Sequence, residues 1–179
     1  MGIMKRLTAS QFLSTSLIAS CLAMIPATPA FAADSIHVPM KPLSGSKVAG
    51  SVHFTASDGK MSAKVELSGL EPGEHGFHIH EVGDCNAVDG SSAGPHFNPD
   101  GHKHGGIQAA DRHAGDLGNV TADAAGKVEV ELKDLPLTFD GTKGIKGRSV
   151  IVHEKRDDLA TDPSGDSGKR LACGIIGEK

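Results

Sequence analysis

Short runs in which every second residue is apolar, separated by glycine-rich turns, constrain this chain more than any other feature. Val48, Val52 and Phe54 alternate with Lys47, Ser51 and His53, and Met61, Ala63, Val65 and Leu67 alternate with Ser62, Lys64 and Glu66. A period of two puts one set of side chains on each face of an extended strand, so each run buries a single face. Asp58-Gly59 between the runs suits a two-residue hairpin, which predicts that they pair. Val128, Val130 and Leu132 repeat the pattern after a turn over Asp123 to Gly126, and Val150-Ile151-Val152 is a further apolar run. No stretch beyond residue 32 sustains a helical period. Glycine supplies 23 of 179 residues, well above the usual ~7%, which favours turns over helices. The expectation is an all-β antiparallel sandwich or barrel in one domain, without repeats.

The first 32 residues read differently. Lys5 and Arg6 precede a weakly apolar run from Phe12 to Ile25, and Ala30-Phe31-Ala32 supplies the small residues of a cleavage site. The run carries Ser14, Thr15, Ser16 and Ser20 and is too short and polar to span a bilayer. Residues 1–32 are expected to be a signal peptide and 33–179 the mature domain. An alternative is a lipoprotein, because Ile18-Ala19-Ser20-Cys21 resembles a lipobox that would anchor the chain through Cys21.

Cleavage removes two basic residues and no acid, taking the formal charge from -4 to -6. That balance argues against a nucleic-acid partner, which needs a basic field. It leaves Cys85 and Cys173, an even pair that in an oxidising compartment reads as one disulfide. In the chain-entropy view, closing a loop of that length is worth about 4 to 5 kcal/mol.

Seven of the ten histidines fall between His75 and His113. In Phe77-His78-Ile79-His80 a strand sends the apolar pair inward and both imidazoles outward, roughly 6.5 to 7 Å apart along the chain, near enough to converge on one ion. Taken alone, such a pair is ordinary. The following Gly/Pro-rich segment adds His96, His104, His113 and Asp116. Three imidazoles and a carboxylate form a closed tetrahedral set suited to zinc, and ion binding can order a loop that lacks apolar contacts of its own.

Five segments carry a family resemblance: Gly76-Phe77-His78-Ile79-His80-Glu81, Gly94-Pro95-His96-Phe97-Asn98-Pro99, Arg112-His113-Ala114-Gly115-Asp116-Leu117-Gly118-Asn119, Val152-His153-Glu154-Lys155 and Arg170-Leu171-Ala172-Cys173-Gly174. In this order they closely resemble the copper/zinc superoxide dismutases. The resemblance implies an eight-stranded antiparallel Greek-key β-barrel with long metal-binding and electrostatic loops. It implies two cofactors, a copper ion held by His78, His80, His96 and His153 and a zinc ion held by His96, His104, His113 and Asp116, with His96 bridging. Asp157 would join His78 to His104 from behind, Arg170 would hold the superoxide anion beside copper, and His75 would be structural. His102, beside His104, is additional, and His37 and His53 read as ordinary strand histidines.

Cys85 directly follows Gly83-Asp84, and with the leader this resembles the bacterial periplasmic branch, as monomer or homodimer. The segment from Thr161 to Lys169 is short for an electrostatic loop, leaving Lys155 and Lys169 as candidates for steering. Two other functions are compatible with the ligands. A periplasmic copper/zinc-buffering protein would need no anion-holding Arg170. A zinc hydrolase with Glu81 or Glu154 as base would need an open zinc position.

Overall fold

A computed structural model describes residues 1–2 and 34–177. Of the two units into which the chain divides, Met1–Ala30 and Phe31–Lys179, the fold below is that of the second. The expected leader, with its cleavage point and Cys21, lies outside the described residues apart from Met1 and Gly2.

Eight strands follow one another: β1 (Asp34–Pro42), β2 (Ala49–Ser57), β3 (Lys60–Ser68), β4 (Gly73–His80), β5 (Asp116–Ala122), β6 (Val128–Leu135), β7 (Arg148–His153) and β8 (Arg170–Ile176). They form one sheet in the order β5-β4-β7-β8-β1-β2-β3-β6, with antiparallel neighbours throughout. The terminal strands β5 and β6 approach each other, so the sheet curls into a nearly closed barrel. The order brings β4 beside β7 and β8 beside β1, the long-range pairing of a Greek key. Among the described residues the only helical piece is a single 3-10 turn, Ser91–Ala93, and no helix is long and apolar enough to cross a membrane.

The barrel interior follows the alternation. Val52, Phe54, Met61, Ala63 and Val65 are buried from the β2–β3 hairpin, and Phe77, Ile79, Val150 and Val152 from β4 and β7. Asp58 (φ 52°) and Gly59 (φ 75°) both take left-handed backbone between the paired Ser57 and Lys60, the geometry that an Asp-Gly hairpin favours.

Two irregularities in the sheet have chemical consequences. Between β4 and β5 the register runs from Gly76↔Asn119 to His78↔Asp116, so β5 carries one extra residue there, where Gly118 has φ 79°. Between β7 and β8 it runs from Val152↔Ala172 to His153↔Arg170, so β8 carries one extra. Such bulges twist a strand and re-aim its side chains. Here they set Asp116 beside His78 and Arg170 beside His153.

Cys85 and Cys173 form a disulfide, tying the loop after β4 to β8. With Leu43, Ala93 and Ile151, Cys173 makes a small apolar cluster outside the main core, against which Cys85 packs. Replacing both cysteines by serine is expected to lower the unfolding free energy by roughly 2 to 5 kcal/mol. Denaturant titration of the oxidised and substituted proteins measures it; coincident curves would show that the bond adds nothing.

Candidate metal centre

His78 and His80 leave the core face of β4 as the alternation predicts, yet they are 0% and 1% exposed. Two loops cover them, residues 81–115 between β4 and β5 and residues 154–169 between β7 and β8. The first is locked to β4 by a cycle of backbone bonds. Phe97 N–H donates to the Ile79 carbonyl (2.8 Å), Gly115 N–H to that of Phe97 (2.9 Å), and Ile79 N–H to that of Gly115 (2.9 Å). A Cβ on Gly115 would collide with the Ile79 carbonyl and the Phe97 amide, so only glycine lets the three segments close. Phe97 is buried in the core, which fixes His96 opposite His80.

Two groups of buried side chains result. In one, ligand atoms of His78, His80, His96 and His153 all lie within 4.8 Å of one another; in the other, those of His96, His104, His113 and Asp116 do. His96 belongs to both. Every residue expected to hold copper or zinc is therefore brought together in its expected group.

The outward nitrogens of His78, His80, His104 and His153 face protein partners, which decides which of their nitrogens turn inward. His80 Nδ1 donates to the Gly94 carbonyl (2.9 Å), and His153 Nδ1 faces Ser167 Oγ at 3.2 Å. His80 Nε2 and His153 Nε2 are left facing each other at 3.4 Å. Asp157 sits behind the clusters and takes both remaining bonds: His78 Nε2 lies 2.7 Å from its Oδ2 and His104 Nε2 2.8 Å from its Oδ1. Asn119 holds Asp157 by its backbone, accepting its N–H (2.7 Å) and donating to its carbonyl (2.9 Å).

Three buried ring nitrogens then have no hydrogen-bond partner: His78 Nδ1, His96 Nε2 and His104 Nδ1. An unsatisfied buried nitrogen costs roughly 1 to 3 kcal/mol. Lone pairs converging on a cation remove that cost, so the donor set fits metal ions. Asp116 Oδ1 lies 2.8 Å from His96 Nδ1 and 3.1 Å from both His113 Nδ1 and His104 Nδ1, the last without hydrogen-bond alignment. Its Oδ2 accepts the backbone N–H groups of Gly105 and His113.

Electrostatics divide the groups. Burial holds His80 and His153 well below the ordinary imidazole range and pushes His96 down to about 4, which keeps these rings neutral and able to bind a metal. Burial also opposes charge on His104, but Asp116 and Asp157 outweigh it and raise that ring to about 9. Burial works against the two carboxylates as well; the imidazoles prevail and hold both well below the usual carboxylate range.

An open cleft of about 750 Å³ reaches the first group. Its walls include His80, His96, His153, Lys169 and Arg170. Arg170 is steadied by Nη1 donating to the Gly90 carbonyl (2.6 Å) and Nη2 to that of Gly94 (2.7 Å), both in the disulfide-tied loop. Lys155 is not among the lining residues. Glu81 pairs with Arg148 (3.1 Å) and Glu154 lies 3.7 Å from Lys169; neither lines the cleft. His75 spans two backbone carbonyls, those of His153 and Glu71, each at 2.8 Å. His102 faces the Arg112 carbonyl and joins neither group.

Sequence reasoning missed several supporting residues. Gly165 (φ 64°) packs so closely on the Asp157–His104 pair that a Cβ would overlap both. Asp162 Oδ1 accepts the His104 N–H (2.9 Å), and Ser167 is buried beside His153. Asn119 ends a recognised motif and was open to detection; Gly165 and Ser167 lie in a loop whose sequence carries no period.

Fold and site together define a β-barrel protein with two adjoining imidazole-rich metal centres. Residues 48–176 match the family model described as copper/zinc superoxide dismutase. The chain is 46% identical over 142 residues to the extracellular superoxide dismutase [Cu-Zn] of Drosophila melanogaster, covering 74% of this chain and 77% of that protein. It is also 46% identical over 137 residues to superoxide dismutase [Cu-Zn] A of Xenopus laevis, covering 73% and 89%. The chain belongs to the copper/zinc superoxide dismutase family.

Asp157→Asn tests the bridge. An amide offers one acceptor where two imidazole N–H groups need two, so metal affinity should fall about 10- to 100-fold. Chelator competition on the variant measures this, and wild-type retention of both metals would show that the bridge is dispensable.

Proposed function

We propose that the chain disproportionates two superoxide anions, with two protons, to dioxygen and hydrogen peroxide. The observation that carries the reading is His96, whose Nδ1 faces the carboxylate-containing group while its Nε2 is buried, unpartnered and beside the cleft. His78, His80, His96 and His153 would hold copper, which supplies one-electron chemistry between Cu(II) and Cu(I), and His96, His104, His113 and Asp116 would hold zinc, which has no redox chemistry and supplies fixed charge. His96 Nε2 is the atom at which a proton is held and given up. With Nδ1 committed to the Asp116 side, a proton taken up at Nε2 stands at the cleft wall, where it can pass to the departing peroxide.

Arg170 is the residue for the anion. Guanidinium is always charged, and two of its donors are tied to carbonyls, leaving others directed at the cleft. Superoxide dismutase is itself a familiar case of an anionic substrate steered by local positive charge. The buffering alternative gives Arg170 no task. The hydrolase alternative needs a base in the cleft, which neither Glu81 nor Glu154 supplies.

We also propose that residues 1–32 form an export leader and 33–179 the mature domain. The basic start and the Ala32 site support this, as does the similarity to an extracellular superoxide dismutase of Drosophila melanogaster. Cys85 immediately after Gly83-Asp84 supports the bacterial periplasmic type.

Two outcomes test the activity. Chelation should abolish superoxide decay, with copper restoring it and zinc alone failing to do so; decay that survives full metal removal would overturn the proposal. Arg170→Ala should retain both metals while kcat/KM falls roughly tenfold or more and becomes less sensitive to salt. An unchanged rate across ionic strength would remove Arg170 from the mechanism.

A further inference from the structure

Of the ten histidines, six make the two buried groups, and His75 and His102 are tied to backbone carbonyls. His37 and His53 remain. They stand directly opposite each other on β1 and β2, both exposed, with ring centroids 5.2 Å apart and their Nδ1 atoms 3.4 Å apart. That separation is long for an N–H hydrogen bond, which prefers ~2.7–3.2 Å, and water competes for both rings.

It suits two ligands of one ion. Bonds of ~2.0–2.1 Å from zinc to imidazole at a tetrahedral angle give a nitrogen–nitrogen distance of ~3.3–3.4 Å. The buried pair His80 and His153 shows the same 3.4 Å separation between its inward nitrogens. The backbone that carries the surface pair is already fixed. On either side of it in register, Val38↔Val52 and Ile36↔Phe54 turn to the barrel interior, where Val38, Val52 and Phe54 are 0% exposed. Lys64, the next residue across from His53 on β3, is paired with Glu66 at 2.8 Å, so its charge is partly offset.

We propose that His37 and His53 form a third metal site, open to solvent on the outer barrel wall, for a first-row divalent cation that favours imidazole, such as copper, nickel or zinc. Two protein nitrogens hold the ion and water completes its shell, so binding is weaker and more exchangeable than at a buried four-ligand group. An ion there joins β1 to β2 and uses no residue of the catalytic cleft.

The test uses the holoprotein with both buried groups already loaded, titrated with Ni²⁺ and followed by calorimetry and by paramagnetic broadening of histidine ring signals. One further equivalent should bind, broadening His37 and His53 and leaving His75 and His102 sharp. His37→Gln and His53→Gln should each weaken that binding at least tenfold. Absence of a saturable third equivalent would overturn the proposal, and so would a third equivalent that both variants bind as tightly as the parent protein. Both substitutions are on the exposed face, so the variants are expected to fold.

Discussion

Six imidazoles and two carboxylates are buried within one small region beside the barrel, and the strongest physical demand on the structure is to compensate them. An unpaired buried charge is costly, and each polar atom removed from water needs a partner. Asp116 and Asp157 meet most of that demand. Asp116 Oδ1 takes the Nδ1 atoms of His96 and His113 and its Oδ2 two backbone N–H groups, while Asp157 divides its two oxygens between His78 and His104. The grip of Asp157 on the outer nitrogens of His78 and His104 selects their inward ones. Three inward nitrogens still lack a protein partner, so the balance closes fully only with cations in place.

That demand explains why the barrel departs from regularity where it does. A flat ladder would set successive side chains at fixed intervals, whereas the site needs a carboxylate and a guanidinium brought to imidazoles on neighbouring strands. The extra residue in β5 delivers Asp116 to His78, and the extra residue in β8 delivers Arg170 to His153. The guanidinium is then held by carbonyls of the loop that the disulfide ties down. The same covalent link therefore bears on the position of Arg170 as well.

The bulges also explain which strands could be read from the chain. β2 and β3 were legible because alternation is unbroken around Asp58-Gly59, β4 and β6 because apolar residues recur at the right interval, and β7 as a continuous apolar run. β5 was not, since the bulge and Gly118 break the period of Asp-Leu-Gly-Asn-Val-Thr-Ala. In β8 a bulge near Leu171 and a small Gly174 in close contact with Val38 and Met40 do the same. β1 alternates through Ile36, Val38 and Met40, but Pro39 and Pro42 argue against an interior strand. The ladder between β1 and β8 covers only Lys41 and Pro42, so Pro39 lies outside it and is asked for no N–H there. The metal groups were legible through motif resemblance. Their supporting glycines and hydroxyls depend on three-dimensional proximity that no local pattern encodes.

The remaining question is how a chain of formal charge -4 can admit an anion. Range settles it. At physiological salt an exposed charge is felt over about 8 Å, so carboxylates elsewhere on the barrel contribute little inside the cleft. Within it, Asp89 is the acidic side chain on the wall; it accepts the Ser91 N–H at 3.0 Å, keeps its charge and offsets part of the Arg170 field. Lys169 leans toward Glu154 at 3.7 Å, a loose and exposed pairing. Arg170, half-buried and bonded only to neutral carbonyls, keeps its full charge beside His80, His96 and His153. Metal cations at those imidazoles would add to the same sign. The local field is therefore set by a few groups at the cleft floor, and the net charge of the molecule governs its solubility more than its chemistry.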